Sequence, residues 1–237
     1  LHADQKLPWL VCVIIGALMG ILNGLIMGLL VTKLKIHAFI ASIGMQLVLR
    51  GVMYVYCNGK ELSIGKDYTW NDMLNGKLIP FLPLSTYFLI TTIFIFGVMV
   101  ILRYTRLGRN IHMVGGNAET AWLAGIKSDM VVIAAFVISG LAAGLGGALN
   151  GIYSGAANVT MGEKGISPFY MAFTACVIGG TDIYGGKGSV IWTYVSLIMI
   201  AFLKALCKST ELQVLVIGAA LVLCLVYETV AKYNRDK

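Results

Sequence analysis

Charged residues are scarce in this sequence. Only 12% of its 237 residues are Asp, Glu, Lys or Arg, whereas 58% are hydrophobic and the mean hydropathy is +0.84. Soluble domains carry about 25% charged residues. The shortage of charge therefore excludes an ordinary soluble protein. It predicts an all-α fold, a polytopic transmembrane helix bundle.

Metal-binding and catalytic patterns are also missing. No two of the five cysteines form a CxxC motif, and the three histidines are far apart in the sequence. This predicts neither a metal site nor a disulfide framework. No HExxH or GxSxG motif occurs. The segment GGKGS at 185–189 lacks the Ser or Thr and the earlier glycine of a phosphate-binding loop, so it predicts a turn between membrane segments. We expect no cofactor and no catalytic residue, which disfavours an intramembrane enzyme.

Acidic residues and histidine are absent from the interior of the apolar runs. Asp129 and Glu228 lie at the ends of such runs, and His37 lies at an edge. Proton-driven transporters carry such groups inside their spans. The sequence therefore contains no obvious proton relay, which indicates that any driving energy comes from outside this chain.

What the sequence does have is long apolar runs. A membrane-spanning helix needs about 20 apolar residues. The pattern predicts one transmembrane domain over residues 1–237, with a run at 169–178 that is too short for a full span and is interpreted as a broken or re-entrant segment. The remaining spans are predicted at 9–31, 38–56, 84–102, 130–153, 190–206 and 212–227.

Small residues recur at helical spacing in two of these spans. Glycines four residues apart share one helix face and favour close packing between helices. The predicted packing residues are Gly16, Gly20, Gly24 and Gly28 in one span, and Gly140, Gly144, Gly147 and Gly151 in the other. Three polar residues, Asn23, Gln46 and Asn150, are candidates for lining a transport path, and the alternative for Asn23 is a hydrogen bond between helices.

The formal net charge of +7 is interpreted through membrane topology and not through nucleic-acid binding. Basic residues of membrane proteins collect in cytoplasmic loops. The segment 103–128, predicted as a basic loop, contains Arg103, Arg106 and Arg109 and is placed on the cytoplasmic side.

Within that loop the sequence predicts a short helix. Gly115-Gly116 is expected to break the chain, Asn117 to cap a two-turn helix, and Gly125 to close it. Glu119 in the first turn suits the helix dipole. Trp122 and Leu123 give the helix an apolar side. Because a two-turn helix is not stable alone in water, we expect it to rest partly on this protein and partly on a soluble partner.

Three motifs resemble the permease subunit of bacterial ATP-binding-cassette (ABC) importers of the ribose, galactose and xylose type. They are TRLGRNIHMVGGNAETAWLAGI at 105–126, VIGGTDIYGGKGS at 177–189 and IHAFIASIGMQLVLRGVMYVY at 36–56. The resemblance covers about Asn23 to Glu228. The chain departs from the family at residues 168–171, where other members often have acidic residues. Family members are longer at the N-terminus, so an N-terminal part is expected to be missing here.

The resemblance implies a function, a location and a set of partners. The chain would carry a sugar into the cytoplasm by alternating access across the bacterial plasma membrane, embedded in its lipid bilayer. The implied partners are a second permease subunit (the same or different), two cytoplasmic ABC ATPase subunits that hydrolyse the ATP, and an extracytoplasmic sugar-binding protein. The residues implied to couple to the ATPase are Gly116, Asn117, Ala118, Glu119, Ala121, Trp122, Leu123 and Gly125. The alternative function is a passive or ion-driven carrier of small solutes with no ATPase partner.

Overall fold

The computed structural model describes residues 9–58, 60, 62–63, 86–154, 156–157, 168–182, 185–207 and 209–235. Long apolar runs become helices here because a helix satisfies its own backbone hydrogen bonds, which a membrane interior cannot do. The helices of the described residues are α1 (Trp9–Lys33), α2 (Ala38–Cys57), α3 (Thr86–Tyr104), α4 (Arg106–Gly116), α5 (Ala118–Leu123), α6 (Ser128–Ser154), α7 (Pro168–Ile178), α8 (Val190–Leu206) and α9 (Thr210–Arg235).

Two short strands accompany the helices. They are β1 (Leu62–Ser63) and β2 (Ala156–Ala157), which pair antiparallel. The fold is therefore all-α apart from this pairing, which confirms the predicted fold class. The connections between the predicted spans at 57–83 and 154–168 lie mostly outside the described residues.

Four helices of the described part, α1, α2, α3 and α6, are long and apolar enough to cross a membrane. Shorter apolar helices are found at Pro168–Ile178, Val190–Leu206 and Thr210–Val226. The 11-residue α7 corresponds to the segment interpreted from the sequence as broken or re-entrant.

The segment 103–128 corrects one prediction. It is not a loop with a break at Gly115-Gly116, because both glycines are the last residues of α4. The break comes one residue later, at Asn117, whose extended backbone (φ −158°, ψ 110°) separates α4 from α5. Glycine is a poor helix former, so its helical placement here needs a reason in tertiary packing.

The chain divides into two compact units, one within Leu1–Val98 and Ala121–Val159, the other within Met99–Thr120 and Thr160–Lys237. In the first unit α1 packs along α6 through glycine. A Cβ added at Gly28 would lie 2.9 Å from the Ile133 Cα, and one at Gly20 would meet the backbone of Gly140 and Gly144. These approaches leave no room for a side chain, so the two helices meet backbone to backbone.

The same unit contains a polar contact at the ends of these helices. Asp129 lies in the first turn of α6, and its Oδ2 is 4.0 Å from Lys33 Nζ at the end of α1. Both side chains are more than half exposed, so solvent screens the pair and it contributes little to stability. Helix α2 is buried only at Cys57.

The second unit has its core where α7, α8 and α9 meet. Ala175 and Ile200 are fully buried and Ile217 nearly so, each on a different one of these helices. Gly179, just after α7, lies against Thr193, where an added Cβ would be 2.7 Å from the Thr193 nitrogen. This contact fixes the glycine-rich segment that follows α7 against the first turn of α8.

Candidate functional site

Helix α5 begins at a side-chain cap. The Oδ1 of Asn117 accepts hydrogen bonds from the backbone N–H groups of Glu119 (2.9 Å) and Thr120 (3.0 Å). These are two of the N–H groups that have no partner within a helix. The same residue ends α4, because its own N–H donates to the Met113 carbonyl at 3.1 Å. Asn117 is therefore the N-cap that the sequence predicted.

The other end of α5 closes on a glycine. Gly125 has a φ of +80°, in the left-handed region that favours glycine. Its N–H donates to the Trp122 carbonyl at 2.8 Å, and the N–H of Ile126 donates to the Ala121 carbonyl at 3.0 Å. The two bonds form the type of C-terminal cap that was predicted for this position. Both ends of α5 are thus held by its own sequence.

The side chains of α5 divide sharply by exposure. Ala121 is 3% exposed, whereas Trp122 is 70% and Leu123 is 78% exposed. Ala118 and Glu119 are exposed as well. A large aromatic ring beside a leucine on a two-turn helix is an apolar surface that a partner groove can bind. Helix α5 therefore exposes an apolar surface made by two neighbouring side chains.

Helix α4 connects this element to the preceding membrane-capable helix. The Thr105 Oγ1 accepts from the Gly108 N–H at 3.3 Å and donates to the Ile101 carbonyl at 2.6 Å. Gly108 lies so close to Leu102 that an added Cβ would collide with the Leu102 backbone. The chain therefore turns tightly from α3 into α4.

The end of α4 lies against the glycine-rich turn at 185–186. A Cβ on Gly115 would be 2.8 Å from the Gly186 nitrogen, and a Cβ on Gly186 would be 2.7 Å from the Gly116 Cα. The two most specific sequence motifs, 105–126 and 177–189, thus meet where the backbones of their paired glycines approach closely. This contact was not among the features expected from the sequence. The paired glycines in both motifs were the available signal.

The turn itself is held by its own backbone. Asp182 N–H donates to the Lys187 carbonyl at 3.0 Å, and Gly185 N–H donates to the Asp182 carbonyl at 3.1 Å. Gly180, Gly185 and Gly186 all have positive φ. The Thr181 and Thr193 hydroxyl oxygens are 3.4 Å apart. These bonds occupy N–H groups of the turn within the turn, as expected for a connection between helices.

The candidate path residues are placed differently from one another. The Asn23 Oδ1 is buried and has no hydrogen-bond partner among the described residues, whereas Gln46 and Asn150 are exposed. Of the predicted packing glycines, Gly16 lies near Ala148 and Gly24 near Phe136, while Gly140 and Gly144 face α1. Gly147 and Gly151 have no described atom within 4 Å of an added Cβ, so their packing stays a prediction.

Comparison with known proteins shows the family. The family described as "Branched-chain amino acid transport system / permease component" matches residues 2–225. The ribose import permease protein RbsC of Escherichia coli K12 is 33% identical over 200 residues, 82% of this chain and 60% of its own length. RbsC of Bacillus subtilis 168 is 32% identical over 194 residues, 81% of this chain and 58% of its own length.

A third relative names another sugar. The D-allose transport system permease protein AlsC of Escherichia coli K12 is 28% identical over 219 residues, 91% of this chain and 65% of its own length. The chain thus spans less than two thirds of the length of the curated relatives it matches. No solved structure matches it.

The comparisons and the helices together identify the chain. Its resemblance to permeases of sugar importers is confirmed by the relatives. The membrane-capable helices agree with that resemblance and with a multi-pass location in the bacterial plasma membrane. The chain belongs to the family of transport-system permease components, to which it is linked by its similarity to the ribose import permease and to the D-allose and L-arabinose transport system permeases.

Proposed function

We propose that this chain is the membrane-spanning permease subunit of an ATP-driven importer. It carries a sugar similar to ribose, galactose or xylose into the cytoplasm by alternating access. The relatives that support this substrate class are named for import of ribose and for transport of D-allose and L-arabinose. These are small polyhydroxylated solutes, and a panel of such sugars is the natural set to test.

The observation that best supports an ATP-driven mechanism is that α5 is capped at both ends and exposes apolar side chains. Its ends are capped by Asn117 and Gly125, yet Trp122 and Leu123 are among the most exposed apolar side chains described. A helix whose shape is fixed by its own sequence is ready to bind without folding first, which lowers the entropic cost of association. We assign it as the coupling helix that docks on a cytoplasmic ATPase subunit.

The backbone contact of α4 supplies a route for the movement. Gly115 and Gly116 lie against Gly185 and Gly186, and the latter pair leads directly into α8. A contact between backbones cannot adjust by rotating a side chain. Displacement of the α5 end of α4 therefore moves the turn and the start of α8 with it. Packed interfaces of this kind shift between discrete arrangements.

The proposal includes partners and a path. Two ATPase subunits hydrolyse the ATP, a second permease subunit completes the pore, and an extracytoplasmic sugar-binding protein delivers the solute. Residues 1–237 act as one permease domain. The Oδ1 of Asn23, which is buried and has no hydrogen-bond partner among the described residues, makes Asn23 the strongest of the three candidates for the path. A buried polar atom without a partner is costly unless a water or solute completes it.

The test replaces the exposed apolar side chains of α5. Trp122→Ala with Leu123→Ala keeps good helix formers but removes the docking surface. Truncating a buried interface tryptophan typically costs at least about 2 kcal/mol, or about thirtyfold in affinity. In proteoliposomes with the cognate ATPase and binding protein, sugar uptake and ATPase stimulation should fall together at limiting ATPase concentration.

The matched control is Met130→Ala, which removes an apolar side chain that is 64% exposed at the start of α6. It should leave uptake unchanged. Unchanged uptake in the α5 variant would reject the docking role. Uphill uptake by the permease without any ATPase, driven by an ion gradient, would favour the carrier alternative.

A further inference from the structure

The second unit contains a cavity of about 980 Å³. It lies between the end of α3, helix α4 and the glycine-rich turn that leads into α8. Its walls are mainly apolar and include Met99, Leu102, Ile111 and Val190. The volume is at the upper end of the range of about 300–1,000 Å³ found for small-molecule sites. It can take a polar headgroup together with part of a hydrocarbon chain.

The charged groups of the cavity are mostly cationic. Arg103, Arg109 and Lys187 line it, against one carboxylate, Asp182. The three cations come from α3, α4 and the turn, so three separate elements bring positive charge to one place. Arginine and lysine bind phosphate through charge-assisted hydrogen bonds. An apolar chamber with an excess of cations complements an amphiphile that has an anionic head.

Helix α4 adds a second, independent feature. Leu107, Ile111 and Val114 are half-buried, whereas Arg106 and Arg109 are exposed. The helix is therefore amphipathic, and it follows directly on α3, which is long and apolar enough to span the membrane. Basic amphipathic helices next to a span lie at the membrane surface, where clusters of Lys and Arg attract anionic lipids.

We infer that this cavity binds one anionic phospholipid, with the phosphate held by Arg103, Arg109 and Lys187 and an acyl chain along the Met99, Leu102 and Ile111 wall. This inference rests on the proposed function in one respect only, because the proposed function places the cavity on the cytoplasmic side and therefore in the cytoplasmic leaflet. A bound lipid would stabilise the packing of α4 against the glycine-rich turn at 185–186, because the lipid contacts both elements. Lipid composition would then set how firmly α4 is held.

The test measures lipid binding to the purified chain in detergent by native mass spectrometry. Phosphatidylglycerol and phosphatidylcholine with identical acyl chains are titrated separately. Phosphatidylglycerol should bind at least about tenfold more tightly, and Arg109→Gln with Lys187→Gln should remove most of this preference, at about fivefold for each charge. Ile111→Trp narrows the cavity at its apolar wall but keeps the three cations, so it should weaken the binding of both lipids.

Arg106→Gln is the matched control, since it removes a charge from the exposed side of the same helix without lining the cavity. It should change phosphatidylglycerol binding by less than about twofold, as expected for a screened surface charge. Equal binding of the two lipids, or an equal loss in Arg106→Gln, would overturn the inference. Displacement of phosphatidylglycerol by millimolar inorganic phosphate would also overturn it, in favour of a free-anion site.

The lipid-binding measurements do not depend on transport. Lipid binding is measured without nucleotide or sugar, whereas uptake is measured on proteoliposomes with the ATPase. A chain that imports no sugar but selects phosphatidylglycerol refutes the proposed function alone. A chain that imports sugar but does not discriminate the lipids refutes the lipid site alone.

Discussion

Gly115 lies so close to Gly186 that a Cβ added at Gly115 would be 2.8 Å from the Gly186 backbone nitrogen. Real Cβ atoms essentially never approach other atoms this closely, so an added side chain must displace backbone. The contact is where the segment that carries the proposed coupling helix touches the turn before α8. The importance of this contact can be tested with glycine-to-alanine variants, each of which adds a single methyl group.

Gly115→Ala should separate α4 from the turn. Forcing a methyl group into a packed contact typically costs about 1–3 kcal/mol, so the melting temperature in detergent should fall and coupled uptake should fall with it. Gly116→Ala is the control one residue away, because its Cβ would be 3.9 Å from Gly186 Cα, an ordinary contact. That variant should leave the melting temperature unchanged or slightly higher. Equal behaviour of the two would show that the contact is not rigid.

Removing the cap of α5 should loosen the proposed coupling helix without touching its docking surface. Asn117→Ala loses both hydrogen bonds to Glu119 and Thr120, at a cost of about 1 kcal/mol. The uncapped helix would have to be re-formed when it binds the ATPase, and this lowers the affinity. The ATPase concentration for half-maximal stimulation should therefore rise about fivefold. Asn117→Asp, which keeps an acceptor at the same place, should retain most of the affinity. The same loss in both variants would contradict the capping role.

The α1–α6 interface should reject any side chain at its glycines. Gly20→Ala meets the backbone of Gly140 and Gly144, and we expect a destabilisation of about 1–3 kcal/mol. Gly147→Ala, on α6 with no described atom within 4 Å, should leave the melting temperature unchanged in the isolated chain. If Gly147→Ala instead lowers stability only in the assembled transporter, then Gly147 faces a partner subunit.

Gln213 should hold the connection between α8 and α9. Its Nε2 donates to the carbonyls of Lys204 (3.1 Å) and Cys207 (2.9 Å), which lie at the end of α8. Gln213→Glu keeps the size but cannot donate, and each lost bond contributes about 0.5–1.5 kcal/mol. The variant should unfold at lower temperature, measured by thermal melting. Glu211→Gln, an exposed neighbour, is the control and should lower the melting temperature less, because it loses only the favourable interaction of a carboxylate with the first turn of α9.

Helix positions followed readily from the sequence because apolar runs of membrane length have few alternatives. The ends of α5 also followed, since an Asn at an N-cap and a Gly after a helix each carry a local physical preference. Gly115 and Gly116 show the limit of such local reasoning. Their low helix propensity predicts a break, whereas the tertiary contact with the 185–186 turn keeps them helical.

The contact between the two motifs could not be predicted for a related reason. It joins segments distant in sequence through closely approaching glycine backbones. Both segments contain paired glycines, but no periodic pattern or charge pair shows that these two pairs meet. The cavity could not be predicted either, because its cations lie on α3, α4 and the turn, which are separate in the sequence. The sequence had indicated Arg103 and Arg109 as markers of membrane sidedness, and only the fold brings them to the same chamber as Lys187.

A single residue joins α4 to α5, and this has a consequence for any substitution there. Asn117 ends one helix through its N–H and begins the next through its Oδ1. A change at this one position therefore alters the C-terminal end of α4 and the N-terminal end of α5 at the same time.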